Sequence, residues 1–140
     1  MVNDLDKTRE FWINTLGFKP HIEAIEESPY IDGLLAIKAP ALTTVKLIDS
    51  KGFIIELLKF KNYQVENSWY GDLSTTGLTH IALTVDNLDE LVNSLKKQNY
   101  QPLSDIKISP TKKVKVVFVE GPERIMLELV QELGLSLIHI

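Results

Sequence analysis

Residues 77–98, GLTHIALTVDNLDELVNSLKKQ, change their hydrophobic period once, and that change decides the fold. Leu78, His80, Ala82 and Thr84 alternate with Thr79, Ile81, Leu83 and Val85, the two-residue period of a strand whose faces differ. The face carrying Ile81, Leu83 and Val85 is the apolar one. From Leu88 onward the apolar residues recur as Leu88, Leu91, Val92 and Leu95, which is one stripe of a helix. A strand followed by a helix packed on its Ile81 face leaves His80, one of three histidines in the chain, pointing the other way.

The start of the chain echoes this stretch. Val2-Asn3-Asp4-Leu5-Asp6 aligns with Val85-Asp86-Asn87-Leu88-Asp89. Asp4 is a suitable N-cap, Leu5, Thr8, Trp12 and Leu16 make a buried stripe, and Gly17 ends the helix. The strand that should precede this helix is all but missing. Downstream, the pattern predicts a strand over 19–27 broken by Ser28-Pro29, a short helical turn over 30–37, and a hairpin of strands 43–49 and 53–60 about Ser50-Lys51-Gly52. Residues 62–76, rich in Asn, Ser, Gly and Thr, read as a linker. The second half predicts a weak strand over 101–108, a Val-rich strand over 113–120, a Gly121-Pro122-Glu123 turn and a strand over 124–130. One unit is therefore β-α-β-β-β and it occurs twice, with Ile54-Ile55-Glu56-Leu57-Leu58 matching Met126-Leu127-Glu128-Leu129. The division expected is a first module over 1–61, a linker over 62–76 and a second module over 77–134 of a single domain, with 135–140 an added tail.

Composition narrows the chemistry. A chain of 140 residues fits one domain, and 44% hydrophobic with 24% charged residues is ordinary for a globular protein. A formal charge of -4 argues against nucleic acid as a partner, which favours an excess of Lys and Arg. Without cysteine, disulfides, thiolate ligands and a thiol nucleophile are excluded. No charged-then-apolar leader and no apolar run of about 18 residues is present, so a cytoplasmic protein with no membrane partner is the expectation. Nucleophile elbows, phosphate loops and dinucleotide fingerprints are absent.

The chemistry left is that of carboxylate and imidazole. Glu56 shares its strand face with Ile54, Leu58 and Phe60, and Glu128 shares its own with Met126 and Val130. A bare carboxylate in so apolar a strand costs several kcal/mol unless a positive group lies beside it. Two at equivalent places in a repeat call for a common partner, and no Lys or Arg occupies a matching position on both strands. A divalent cation held by Glu56, His80 and Glu128 answers this, and two carboxylates with one imidazole suit Zn, Ni, Co, Mn or Fe. Taken singly, a strand glutamate is more often solvent-facing and a lone histidine more often a hydrogen-bonded core residue; the repeat tips the balance. Tyr30, Asp32, Lys46, Lys59, Trp69 and Tyr70 are lesser candidates, read as turn, strand-surface or linker residues. His21, beside Glu23, reads as surface.

VNDLDKTREFWINTLGF, IIELLKF, GLTHIALTVDNLDEL and GPERIMLELVQ together resemble the vicinal oxygen chelate superfamily, which includes glyoxalase I, methylmalonyl-CoA epimerase, extradiol dioxygenases and bleomycin-resistance proteins. The resemblance spans residues 2–131. It implies an α+β fold in which two βαβββ modules form a cupped sheet around a metal, with ligands taken from the first and last strand of each module. Carried across, Glu56 is the last-strand ligand of module one, His80 the first-strand ligand of module two and Glu128 its last-strand ligand. The fourth position falls upstream of Met1. Either the reading frame is cut short, or three ligands and water suffice, or another group fills in. Residues 135–140 alternate like a strand and could offer His139, but they also read as translated sequencing adapter, in which case His139 has no role.

The resemblance implies a glyoxalase-like lyase, isomerase or epimerase acting on a small carbonyl substrate through a metal-bound enediolate, with Glu56 and Glu128 as candidate bases. The alternatives are a binding protein that sequesters a small molecule and, third, an extradiol dioxygenase, which needs a second histidine ligand. A missing first strand leaves backbone to be paired, so a homodimer is expected.

Overall fold

The computed structural model describes residues 1–38, 41–61, 64–66 and 73–134. The fold is α+β, built on two sheets, and the chain divides into two compact units, Met1–Ser68 and Trp69–Ile140. The expected linker over 62–76 falls partly, and the tail over 135–140 wholly, outside the described residues.

The first unit begins with helix α1 (Leu5–Glu10), capped by the Asp4 side chain, which accepts from the Lys7 N–H. A π-helical turn, Phe11–Thr15, continues it. Thr8, Phe11 and Trp12 are buried at i, i+3 and i+4, one helical face, so Phe11 joins the stripe of Thr8 and Trp12 read from the sequence. Strands β1 (Lys19–Glu26), β2 (Leu42–Ile48) and β3 (Ile54–Phe60) form an antiparallel sheet in the order β1-β2-β3. Helix α2 (Tyr30–Leu35) links β1 to β2. The sheet has apolar residues on both faces. Val45, Leu47 and Leu57 are buried on one, along with Phe11, Trp12 and Phe18 of the opening segment. On the other, Leu42 and Phe60 are buried with Ile31 of α2, and Leu35 and Leu58 pack against them.

The second unit follows the same plan and shows its leading strand. Strand β4 (Ile81–Thr84) is followed by α3 (Leu88–Lys97), then β5 (Lys107–Ile108), β6 (Val114–Glu120) and β7 (Met126–Glu132). The order is β4-β7-β6-β5, with β4 parallel to β7 and the other pairs antiparallel. Leu88, Val92 and Leu95 of α3 are buried, as are Val117, Val119, Leu127 and Leu129. Each such side chain contributes about 1.5–3 kcal/mol by leaving water. The strand predicted over 101–108 is reduced to Lys107–Ile108 and a single bridge from Pro102 to Val119. The Leu103 N–H still donates to the Phe118 carbonyl at 2.9 Å, and the break comes after it, where the pairing register shifts before β5.

The two units agree in backbone detail. The Val2 N–H donates to the Leu58 carbonyl at 2.8 Å, and the Val85 N–H donates to the Val130 carbonyl at 2.8 Å. The hairpin turns close alike, Asp49 N–H to Phe53 carbonyl at 3.0 Å and Gly121 N–H to Ile125 carbonyl at 2.8 Å. Lys46 pairs with Glu56 across β2 and β3 as Phe118 pairs with Glu128 across β6 and β7. Among the described residues no helix is long and apolar enough to cross a membrane.

Candidate functional site

His80 immediately precedes β4, and Glu128 lies in the middle of β7, the strand parallel to it. Leu127 and Leu129 turn to the buried side, so the alternation of the strand puts Glu128 on the opposite face with Phe118. His80 comes to that face, as the spacing in 77–85 predicts. Its Nε2 lies 3.3 Å from Glu128 Oε1, and the two side chains keep 33% and 26% of their surface open. They are reachable from solvent yet flanked by protein. The Phe118 ring meets the imidazole edge to face at 5.1 Å, which restricts how the imidazole can turn.

On its other side, His80 Nδ1 is 2.8 Å from Thr79 Oγ1. With Nδ1–H donating to that hydroxyl, Nε2 carries the lone pair and faces the carboxylate. Two lone-pair atoms set together want a cation between them. Ligands about 2.1 Å from one ion lie about 3.0–3.4 Å apart at octahedral or tetrahedral angles, and the observed separation falls in that range. In the other tautomer Nε2–H donates to Glu128 and the pair is satisfied without an ion. The donor set therefore fits a divalent metal and does not require one. Among the described residues, no third histidine, aspartate or glutamate joins a metal-binding group.

Glu56 holds the position in the first unit that Glu128 holds in the second. Its surroundings differ from the apolar setting expected of it: 42% of the side chain is open, and Lys46 Nζ lies 3.8 Å from its Oε2. Phe118, Thr79 and this role of Lys46 were not read from the sequence. For Lys46 the signal was there, because a hairpin closed by Asp49 and Phe53 places it opposite Glu56. Of the lesser candidates, His21 is exposed, as expected, and Asp32 accepts from the Ser28 hydroxyl at 2.6 Å. Tyr30 and Lys46 line a cleft of about 240 Å³ between α2 and the sheet, together with Glu26 and Glu56. Trp69, Tyr70 and His139 lie outside the described residues.

The model of the glyoxalase/bleomycin resistance protein/dioxygenase superfamily matches residues 1–118. No curated protein matches the chain. Among solved structures, a glyoxalase family protein from Bacillus cereus superposes with a TM-score of 0.84 at 20% identity, over 95% of this chain and 89% of that one. Glyoxalase I from Zea mays gives 0.67 at 22% identity, over 94% of this chain and 42% of that one. The fosfomycin resistance protein FosX from Listeria monocytogenes, complexed with Mn(II) and sulfate, gives 0.58 at 13% identity, over 98% and 90%. At these identities the likeness is one of fold, and it agrees with the βαβββ repeat and with the matched residues. The chain belongs to the glyoxalase/bleomycin resistance protein/dioxygenase superfamily.

Proposed function

We propose that the protein is a metal-dependent lyase, isomerase or epimerase of the glyoxalase type, moving a proton at the carbon beside a carbonyl of a small molecule. The observation that carries this reading is the His80–Glu128 pair at 3.3 Å, with Glu56 at the repeat-equivalent place. His80 and Glu128 already stand together, and Glu56, which joins no three-residue metal-binding group among the described residues, would have to move in to complete the proposed ligands of Zn, Ni, Co, Mn or Fe. FosX with Mn(II) is a relative in fold that binds such an ion. When bound, a divalent ion supplies the positive charge that offsets negative charge developing on neighbouring substrate oxygens. His80 holds its Nε2 toward that centre, steadied by Thr79 and Phe118. Glu56 or Glu128 takes the proton from carbon and returns it, to the adjacent carbon in an isomerisation or to the opposite face in an epimerisation. A cytoplasmic location and a homodimer belong to the same reading.

Elemental analysis of the purified protein, followed by deuterium exchange beside the carbonyl of small 2-oxoaldehyde adducts and thioesters, tests it. Bound divalent metal and exchange that stops on chelation are expected. Failure to take up any divalent ion removes the proposal.

One observation favours a second reading. A lysine already neutralises Glu56, as it would in a protein that sequesters a small molecule without metal. Metal-free protein that still retains a small-molecule ligand would favour that reading.

A further inference from the structure

The cleft beneath α2 has an order along its length. Strand register sets Glu26 in one row with Leu42 and Phe60, Ala24 with Thr44 and Leu58, and Ile22 with Lys46 and Glu56. Glu26 and the Lys46–Glu56 pair are four residues apart along the strands, about 13 Å at 3.3 Å per residue. Between them the lining is mostly apolar: Leu42, Leu58, Ile31 and Leu35, with Leu34 exposed at the edge.

Charge is distributed unevenly along that line. At one end Lys46 and Glu56 offset each other at 3.8 Å. At the other, Glu26 has no ion pair among the described residues, and Tyr30, a residue 60% exposed, lines the same cleft. Two carboxylates against one ammonium leave the lining net negative. An anion would meet one cation and two like charges; a cation finds a carboxylate with no ion pair among the described residues and an aromatic side chain beside it. The volume, about 240 Å³, is below the roughly 300–1,000 Å³ of pockets for drug-sized ligands, so the occupant is small.

We infer that this cleft binds a small amphiphilic amine, its ammonium group on Glu26 and Tyr30, its aliphatic or aromatic body on Leu34, Leu35 and Leu58, and any polar far end toward Lys46–Glu56. The inference goes beyond the metal reading but shares Glu56 with it, so it applies to the metal-free protein, in which Glu56 is paired with Lys46.

Titration of the whole protein with hexylammonium, hexanol and hexanoate, followed by two-dimensional NMR and calorimetry before and after chelation, is the test. Hexylammonium should bind at least ten-fold tighter than either isostere, weaken with salt, and shift resonances of Glu26, Tyr30, Ile31 and Leu34. Glu26→Gln should remove that preference, while Glu90→Gln on α3, which deletes a charge of the same sign, should leave it intact. Hexanoate binding as well as hexylammonium, an unchanged preference in Glu26→Gln, or shifts confined to other residues would overturn the inference. Binding that survives chelation separates this result from the fate of the metal proposal.

Discussion

Glu56 and Glu128 occupy one backbone position in two copies of the same hairpin, yet their neighbours are not alike. Across the ladder Glu56 meets Lys46 and Glu128 meets Phe118. Beside Glu128 runs the parallel strand that brings His80; the matching hydrogen bond in the first unit comes from Val2, next to the chain start. A repeated backbone thus places a carboxylate twice, and the residue opposite decides what it can do. A lysine makes it half of an ion pair. A phenylalanine leaves it to an imidazole and to whatever the two can hold.

Removing one acid at a time breaks this comparison most severely. Glu128→Gln should abolish metal uptake and lower proton exchange by about 10²–10⁴-fold, the usual contribution of a positioned general base. Glu56→Gln should do the same if both acids serve one ion, as proposed. Inductively coupled plasma analysis and α-deuterium exchange read both variants. Full metal content and exchange in either one would detach that glutamate from the site.

Next in size comes the shared core. Leu57 and Leu129 are repeat equivalents beside the two glutamates, 7% and 0% exposed. Replacement by Ala should lower stability by about 2–5 kcal/mol, with Leu129→Ala the costlier because its site is wholly enclosed. Urea unfolding of both variants checks the order. A larger loss at Leu57 would mean that the first sheet is the better packed of the two.

A smaller effect is expected at Thr79. Partners that orient a ligating histidine typically contribute 10–100-fold in metal affinity. Thr79→Val keeps the shape and removes the hydroxyl 2.8 Å from His80 Nδ1. Affinity should fall by about that factor, and Thr79→Ser should restore it. Nitrogen NMR of the metal-free protein should show the ratio of His80 tautomers change in the valine variant. A tautomer ratio indifferent to this change would make Thr79 a bystander.

How much of this the sequence discloses varies by residue. The period change in 77–98 gives β4, α3 and the placing of His80 on the strand face away from α3, because helix and strand spacings depend on local order alone. The match of Ile54–Leu58 to Met126–Leu129 gives the equivalence of the two glutamates for the same reason. The strand over 101–108 is shorter than its pattern predicts, since residue spacing does not show the shift of pairing register that falls between Leu103 and Lys107. Phe11, three residues after Thr8, belongs by ordinary helical spacing to the stripe of Leu5, Thr8, Trp12 and Leu16, so its burial was legible in the sequence although the stripe as read leaves it out. The setting of Glu56 was misjudged by looking along its own strand, when its counter-charge lies across the turn on Lys46. Thr79 and Phe118 become visible only once His80 has a measured position.

Lys46→Met is the mildest change and the one that isolates the difference between the hairpins. It makes the first hairpin resemble the second by setting an apolar side chain against the glutamate. The pair it removes is spaced at 3.8 Å, with 40% of the lysine and 42% of the glutamate side chain open to water. Exposed pairs of this kind are worth about 0–1 kcal/mol, so the unfolding midpoint should barely move. If Glu56 is a ligand, losing a competing ammonium should tighten divalent metal binding, most at low salt where the competition is strongest. If Glu56 serves only its lysine, metal affinity will stay the same while stability drops by the small value of the pair. Metal affinity measured at two ionic strengths, alongside urea unfolding of the same variant, therefore distinguishes a lysine that holds Glu56 in reserve for a metal from one that is its sole partner.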